Sequence, residues 1–371
     1  MIIKNAIVYN EDFEPIKTDI EIENKKIKSL KKNEAEGIDY SGCVVLPGFI
    51  DIHIHGCNAA DATDGNADSV IKMSRWLATK GVTSFCPTTM TLPEEELKKS
   101  FKYVSDAMGK EPGAYIHGIN MEGPFISYAK KGAQAGEHII PPDIDFLKEL
   151  NSICPVMLTD IAPETEGAKE FIEQAKEICT VSLAHTASDY KTVKESIQSG
   201  ITHATHLYNA MNGLTSREAG AVGAVLDSEN VNAEMICDGI HICEPTLRIT
   251  FKALGEDRTI VISDAMMAAG LPDGNYTLGG QKVIVKGDAR LEDGTLAGSI
   301  TNLFDEFKNL LKFGIPLKQA IKSVTINPAK AIGVDNETGS IKTGKNADLL
   351  ILSDDFSEIK SVIIKGTPYI I

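Results

Sequence analysis

Eight short apolar runs, separated by segments with apolar residues at helical spacing, constrain this chain more than any other feature. The runs are FIDIHIHG (49–56), TSFCPTTM (83–90), YIHGINMEG (115–123), PVMLTDIAPE (155–164), TVSLAHT (180–186), ITHATHLYN (201–209), NAEMICDGI (232–240) and TIVISDAM (259–266). Between them lie stretches such as NADSVIKMSRWLATKG and EGAKEFIEQAKEIC, with Gly near their ends. Strand–helix alternation implies a parallel sheet. Eight runs within about 215 residues is the count and size of a (β/α)8 barrel. A doubly wound open sheet is the rival, but it normally carries a Gly-rich phosphate loop after an early strand. Neither GxGxxG nor GxxxxGK[ST] occurs. The expected class is α/β.

Both ends of the chain follow a different rhythm. IIKNAIVYN, DIEIENKKIKSL and VVLPG alternate with period two, as does the stretch from Thr338 to the C-terminus. This pattern reads as antiparallel strands with one wet face. With 371 residues, 43% of them hydrophobic, the chain has material for a large core and a smaller second one.

The net charge of −15 sets nucleic acid and anionic lipid aside as partners. An anionic substrate would need local cations. Seven cysteines, an odd number without a CxxC pair, point to a reduced intracellular chain. The N-terminus lacks a signal-peptide core and no run reaches membrane-span length, so a cytoplasmic location is expected.

Polar residues fall where the runs end. In FIDIHIHG, strict alternation sets Asp51, His53 and His55 on one face. Glu122 closes the third run, His185 the fifth, His206 the sixth, Asp238 and His241 follow the seventh, and Asp264 closes the eighth. In a barrel these ends meet at one mouth, where active sites lie. Each residue has a plainer reading. HxH is also a hydrogen-bonded core pair, Glu122 a turn residue, and Asp264 a helix cap; His203, Asn209 and Asn212 can satisfy loop backbone. Their joint placement favours chemistry. Imidazoles and carboxylates converging in a dry mouth are costly unless paired or metallated, and they suit Zn²⁺ or Fe²⁺.

The segments PGFIDIHIHG, MEGPF, KKGAQ, AHT, THATHLYNAMNGL, SREAGAVGAV, DGIH, SDAMMAAGLPDGNYTLGG, TLAGS and TGSIKTGKNADLLIL span nearly the whole chain. Together they resemble the amidohydrolase superfamily and, more specifically, its N-acetylglucosamine-6-phosphate deacetylases. The resemblance implies a (β/α)8 TIM barrel at 49–334 with a small β-sandwich from 1–48 and 335–371. It implies Glu122, His185 and His206 as main metal ligands and His53 and His55 as ligands of a second ion, so one or two divalent metals per subunit. Asp264 matches the catalytic aspartate. Ala133, Gln134, Asn209, Ala210, Arg217, His241 and the Leu296-Ala297-Gly298 turn match substrate-contacting positions, and Asp238 is grouped with them. Two positions depart: Gln134 and Asn120 stand where relatives carry His.

The implied reaction is metal-dependent hydrolysis of the acetamide of N-acetylglucosamine 6-phosphate to glucosamine 6-phosphate and acetate, in amino-sugar catabolism and cell-wall recycling. Asp264 would move the proton, Gln134 would help hold the oxyanion, and Arg217 and His241 would meet the phosphate. Arg217 would reach a neighbouring site in a homodimer. The alternatives are N-acetylgalactosamine-6-phosphate deacetylation and a non-catalytic sugar-phosphate-binding barrel.

Overall fold

The computed structural model describes residues 1–32 and 34–370. Each of the eight runs forms a strand. In order these are Phe49–Ile54, Val82–Pro87, Tyr115–Ile116 continued by Ile119–Met121, Val156–Ile161, Thr180–Leu183, His203–Ala204, Asn232–Met235 and Thr259–Val261. Each pairs in parallel with its successor. The ring closes where the Asp264 amide donates to His53 O and the His55 amide to Ala265 O, both at 2.9 Å. The closed sheet excludes the doubly wound rival.

Two apolar layers hold the barrel. Phe49, Phe85, Met121, Ile161, Leu183, Met235 and Val261 face outward and share one buried cluster with helix residues. The helix Ala67–Thr79 shows why: Asn66 caps it by accepting from the Ser69 amide, and Val70, Met73 and Leu77 recur at three- and four-residue spacing on its buried face. Inside, Ile50, Ile52, Cys86, Leu158, Ile236, Ile260 and Ile262 form a second cluster, stopped at one end by Ala329 and Ala331 from the helix Ile326–Ala331. Each buried Ile or Leu of this kind contributes about 1.5–3 kcal/mol. The lumen is thus dry and apolar at its base, which leaves its polar residues for the opposite end.

The expected face of Asp51 is corrected by the strand register. Phe85 lies opposite Asp51, yet Pro87 lies opposite Ile54, so three steps on the first strand match two on the second. This irregularity takes Asp51 off the histidine row. Its carboxylate instead accepts from Ser263 Oγ at 2.6 Å and from the Ser263 amide at 3.3 Å. Burial raises the Asp51 carboxyl to about 7 against these hydrogen bonds.

The chain ends form two sheets. One has four strands in the order Lys26–Leu30, Ile20–Glu23, Ile2–Lys4, Ile38–Asp39; the other has six, in which Ile359–Ile364, Leu349–Ser353, Cys43–Pro47 and Ile7–Tyr9 are central. Ile3, Val8, Ile20, Val45, Leu349, Ile351 and Ile363 fill the space between them. Most pairings are antiparallel as expected, but Ile7–Tyr9 runs parallel to Cys43–Pro47 and Ile2–Lys4 parallel to Ile38–Asp39. No helix among the described residues is long and apolar enough to cross a membrane.

A third sheet was not foreseen. Gly274–Leu278, Gln281–Val285 and Ala289–Leu291 form an antiparallel unit inserted after the eighth strand. Its Leu278, Val283 and Val285 pack on Met90 and Met266. Gly279 and Gly280 make its first turn with φ of 54° and 78°, the two left-handed positions of a tight hairpin.

Candidate active site

The strand ends converge as the barrel reading requires, and the backbone takes an unusual path there. His185, His206 and Asp264 each follow the last residue of their strand by two or three positions, with φ of 43°, 29° and 46°. Non-glycine residues rarely adopt this left-handed region, at a cost of about 1–3 kcal/mol each. Each turn aims a side chain across the mouth.

Two groups of three side chains result: Glu122, His185 and His206, and His53, His55 and Asp264. In each group the ligand-capable atoms lie within 4.8 Å of one another. In the first, His185 Nε2 and His206 Nε2 are each 3.0 Å from Glu122 Oε1 and 3.2 Å from one another. These separations approach the roughly 3.3 Å edge of a tetrahedron of ligands around a zinc ion. In the second, Asp264 Oδ1 is 3.2 Å from His55 Nε2 and 3.5 Å from His53 Nε2. Glu122 touches both groups, because its Oε2 is 3.2 Å from His55 Nε2. His185 Nδ1 is bonded to Lys130 O at 2.8 Å and His55 Nδ1 to Thr88 O at 3.3 Å, so both rings turn Nε2 inward. His53 Nε2 is buried without a hydrogen-bond partner. A set of imidazole and carboxylate donors with one such orphaned nitrogen fits a divalent metal.

The charges are mutually supporting. Burial raises the Glu122 carboxyl, but hydrogen bonds from His185, His206 and His55 outweigh it and hold the group well below the usual range. Burial opposes the charge on His53, yet Glu234 and the other carboxylates push it up to about 10. Burial likewise opposes ionisation of Asp264, and the His55 hydrogen bond and His53 charge hold it low. Metal loading would exchange the imidazole protons for the ion.

A cleft of about 180 Å³ opens above these groups. His55, Glu122, Ala133, Gln134, His185, His206, Asn209, Ala210, His241, Asp264, Leu296 and Gly298 all line it. Four sequence-predicted residues do not. His53 lies fully buried beneath the floor. Ala297 is also buried, its amide bonded to Ala289 O. Asp238 stands behind His241, accepting at 2.7 Å from its ring and at 2.9 Å from its amide, so it acts on His241 and not on the cleft. Arg217 is exposed on the turn Thr215–Glu218, outside the cleft of its own chain. Gln134 is more committed than expected: its amide donates to Glu122 Oε2 at 2.6 Å and its carbonyl accepts from the Thr91 amide at 2.7 Å. Asn120 ties the third strand to the first through Ile52 O at 3.0 Å. A larger groove of about 540 Å³, lined by Lys318, Lys322, Glu11 and Asp257 among others, lies apart from all of these groups.

Gly132, Met90, Leu278 and Thr295 complete the wall, and none of the four was singled out from sequence. Leu278 arrives with the inserted sheet, whose signal was the alternation in NYTLGGQKVIV around a Gly pair. Glu234 was also missed, and His203, read from sequence as satisfying loop backbone, stands instead in the sixth strand with Nε2 3.0 Å from Glu234, beneath His53.

Gly56, which ends FIDIHIHG, is needed for close approach. A Cβ there would meet the backbone of Ala60 and, at 2.9 Å, Met267 N. Gly56→Ala is therefore expected to lower stability by about 1–3 kcal/mol. Chemical denaturation checks this; a midpoint equal to wild type would contradict it.

The sequence model described as "Amidohydrolase family" matches residues 44–368. The chain is 37% identical over 328 residues to N-acetylglucosamine-6-phosphate deacetylase of Bacillus subtilis, covering 86% of this chain and 83% of that protein. It is 33% identical over 329 residues to N-acetylgalactosamine-6-phosphate deacetylase of Escherichia coli O157:H7, covering 87% of each. Among solved structures, an aspartate-to-alanine variant of N-acetyl-D-glucosamine-6-phosphate deacetylase from Mycobacterium smegmatis, in complex with N-acetyl-D-glucosamine-6-phosphate, superposes with a TM-score of 0.93. It is 26% identical and covers 99% of this chain and 98% of that one.

Proposed function

We infer the reaction from a premise: the chain belongs to the amidohydrolase family. It is a metal-dependent hydrolase that removes the acetyl group of N-acetylglucosamine 6-phosphate, giving glucosamine 6-phosphate and acetate. The observation that carries this reading is the meeting of Glu122, His185, His206, His53, His55 and Asp264 at one end of the barrel. We divide the chain into a hydrolase barrel at 49–334 and a sandwich contributed by 1–48 and 335–371. We assign it to the cytoplasm, on the strength of its seven unpaired cysteines.

Glu122, His185 and His206 would hold one divalent ion, Zn²⁺ or Fe²⁺, and His53, His55 and Asp264 a second. Such an ion supplies Lewis-acid polarisation and makes water a nucleophile near neutral pH. The chain's own groups do the rest. Asp264 is buried at the cleft floor with its carboxylate kept ionised, so it accepts a proton from the attacking water. It then returns that proton to the sugar nitrogen, because an unprotonated amine is a poor leaving group. Gln134 clamps Glu122 and thereby fixes the first group; we reassign it to that task from the oxyanion role expected from sequence. Leu278 and Met90 present apolar surface at the cleft.

The phosphate needs cations that the −15 surface does not otherwise offer. His241, held by Asp238, supplies one within the cleft. Burial opposes its charge, and the Asp238 carboxylate restores it. Arg217 supplies the other, to the cleft of a second copy in a homodimer. Arg217→Ala is expected to raise KM for the phosphorylated sugar ten- to a hundredfold, about 1.5–3 kcal/mol, and to spare unphosphorylated N-acetylglucosamine. Equal losses on both substrates would remove the phosphate role. Full activity in a monomer would remove the shared site.

The reaction itself is tested by acetate release from the 6-phosphates of N-acetylglucosamine and N-acetylgalactosamine, side by side, with protein of measured metal content. A higher kcat/KM for the first is expected. Preference for the second would transfer the chain to the other epimer, and no release from either would leave only binding.

A further inference from the structure

Glu234 is a fully buried carboxylate that the reaction above does not use. It sits mid-strand between Ala233 and Met235, both packed into the outer cluster. Its Oε2 meets His53 Nδ1 at 3.0 Å and accepts from the His206 amide at 3.3 Å, while its Oε1 meets His203 Nε2 at 3.0 Å. A carboxylate at this depth persists only with its lone pairs filled, and these donors fill them. The arrangement has direction. With Nδ1 held by Glu234, the His53 ring presents Nε2 toward Asp264 Oδ1 at 3.5 Å and Glu122 Oε1 at 3.9 Å, where it has no hydrogen-bond partner. The same carboxylate oxygen holds the backbone of His206, a member of the other group. A mere packing pair would have no reason to touch one residue from each.

We propose that Glu234, steadied by His203, is a positioning residue that presents His53 to a second metal ion and locks that ion's ligand group to the one built on Glu122. The inference rests on the metal-dependent reading of the site. A carboxylate behind a ligating imidazole fixes its orientation and raises its basicity, and losing such a partner weakens metal binding about 10- to 100-fold.

The test is a Zn²⁺ titration of metal-free protein, with equivalents counted by elemental analysis and affinities measured by chelator competition. Wild type is expected to take up two equivalents. Glu234→Gln keeps size and removes charge. It is expected to weaken the second equivalent about 10- to 100-fold and the first by less than about threefold. His203→Phe is expected to weaken the same equivalent, by less. Uptake of one ion by wild type would overturn the proposal, as would equal weakening of both ions or wild-type affinities in both variants. If Glu234→Gln does not fold by circular dichroism, His203→Phe decides alone. Acetate release is read separately. A protein that binds two ions but releases no acetate would end the deacetylase reading and leave this one standing.

Discussion

Asp264→Asn is expected to lower kcat/KM by roughly three orders of magnitude or more, within the range of general acid–base catalysis combined with a misplaced water. The expectation follows from geometry. Asp264 stands three residues beyond the eighth strand with φ 46°, is 7% exposed at the cleft floor, and lies 3.2 Å from His55 and 3.5 Å from His53. Asparagine preserves the shape and can still accept a hydrogen bond. It cannot take a proton at neutral pH, and it offers no lone-pair anion to the two imidazoles. The group of Glu122, His185 and His206 does not include Asp264, so an ion held there should remain. Elemental analysis beside initial-rate kinetics separates the two effects. A variant retaining more than about a tenth of wild-type kcat/KM, a loss below ~1.4 kcal/mol, would show that another group moves the proton.

Glu122→Gln is expected to strip bound metal altogether. One oxygen of Glu122 faces His185 and His206, and the other faces His55 and the Gln134 amide. A single buried anion therefore neutralises several donors, and an amide in its place would put N–H or a weak neutral oxygen against them. Breaking a buried charge cluster by removing one partner costs about 3–5 kcal/mol in stability as well. Metal content and a denaturation midpoint should fall together. A Glu122→Gln protein with full metal content would overturn the assignment of Glu122 as the central ligand.

The barrel was legible because eight apolar runs alternate with helical spacing, and a closed parallel sheet is the arrangement that buries all eight on both faces. Five of the six candidate metal-group residues, all but His53, stand at or just beyond the last residue of a strand, where an apolar run visibly breaks. Glu234 was missed for the converse reason. It stands inside NAEMICDGI, and alternation alone cannot say that a mid-strand acid has partners in two other strands. Asp51 was set on the wrong face by a register irregularity, which flips side chains without leaving a mark in composition. The inserted sheet carried its mark in the Gly279-Gly280 turn, within a segment otherwise read only as part of the barrel. Arg217 lies in the loop after the sixth strand and outside the cleft of its own chain, where the sequence reading set it.

The left-handed backbone at His185, His206 and Asp264 bears on how such a centre could be transplanted. A designer who copied six side chains onto the strand ends of an unrelated barrel would inherit ordinary extended φ values there. The donor atoms would then leave the strands in the wrong directions. What must be grafted is three kinks together with their tethers: Lys130 O behind His185, the Glu234 carboxylate behind the His206 amide, and the His53 carbonyl that receives the Asp264 amide. The minimal portable unit of this centre is therefore a set of bent strand ends and the contacts that hold them bent.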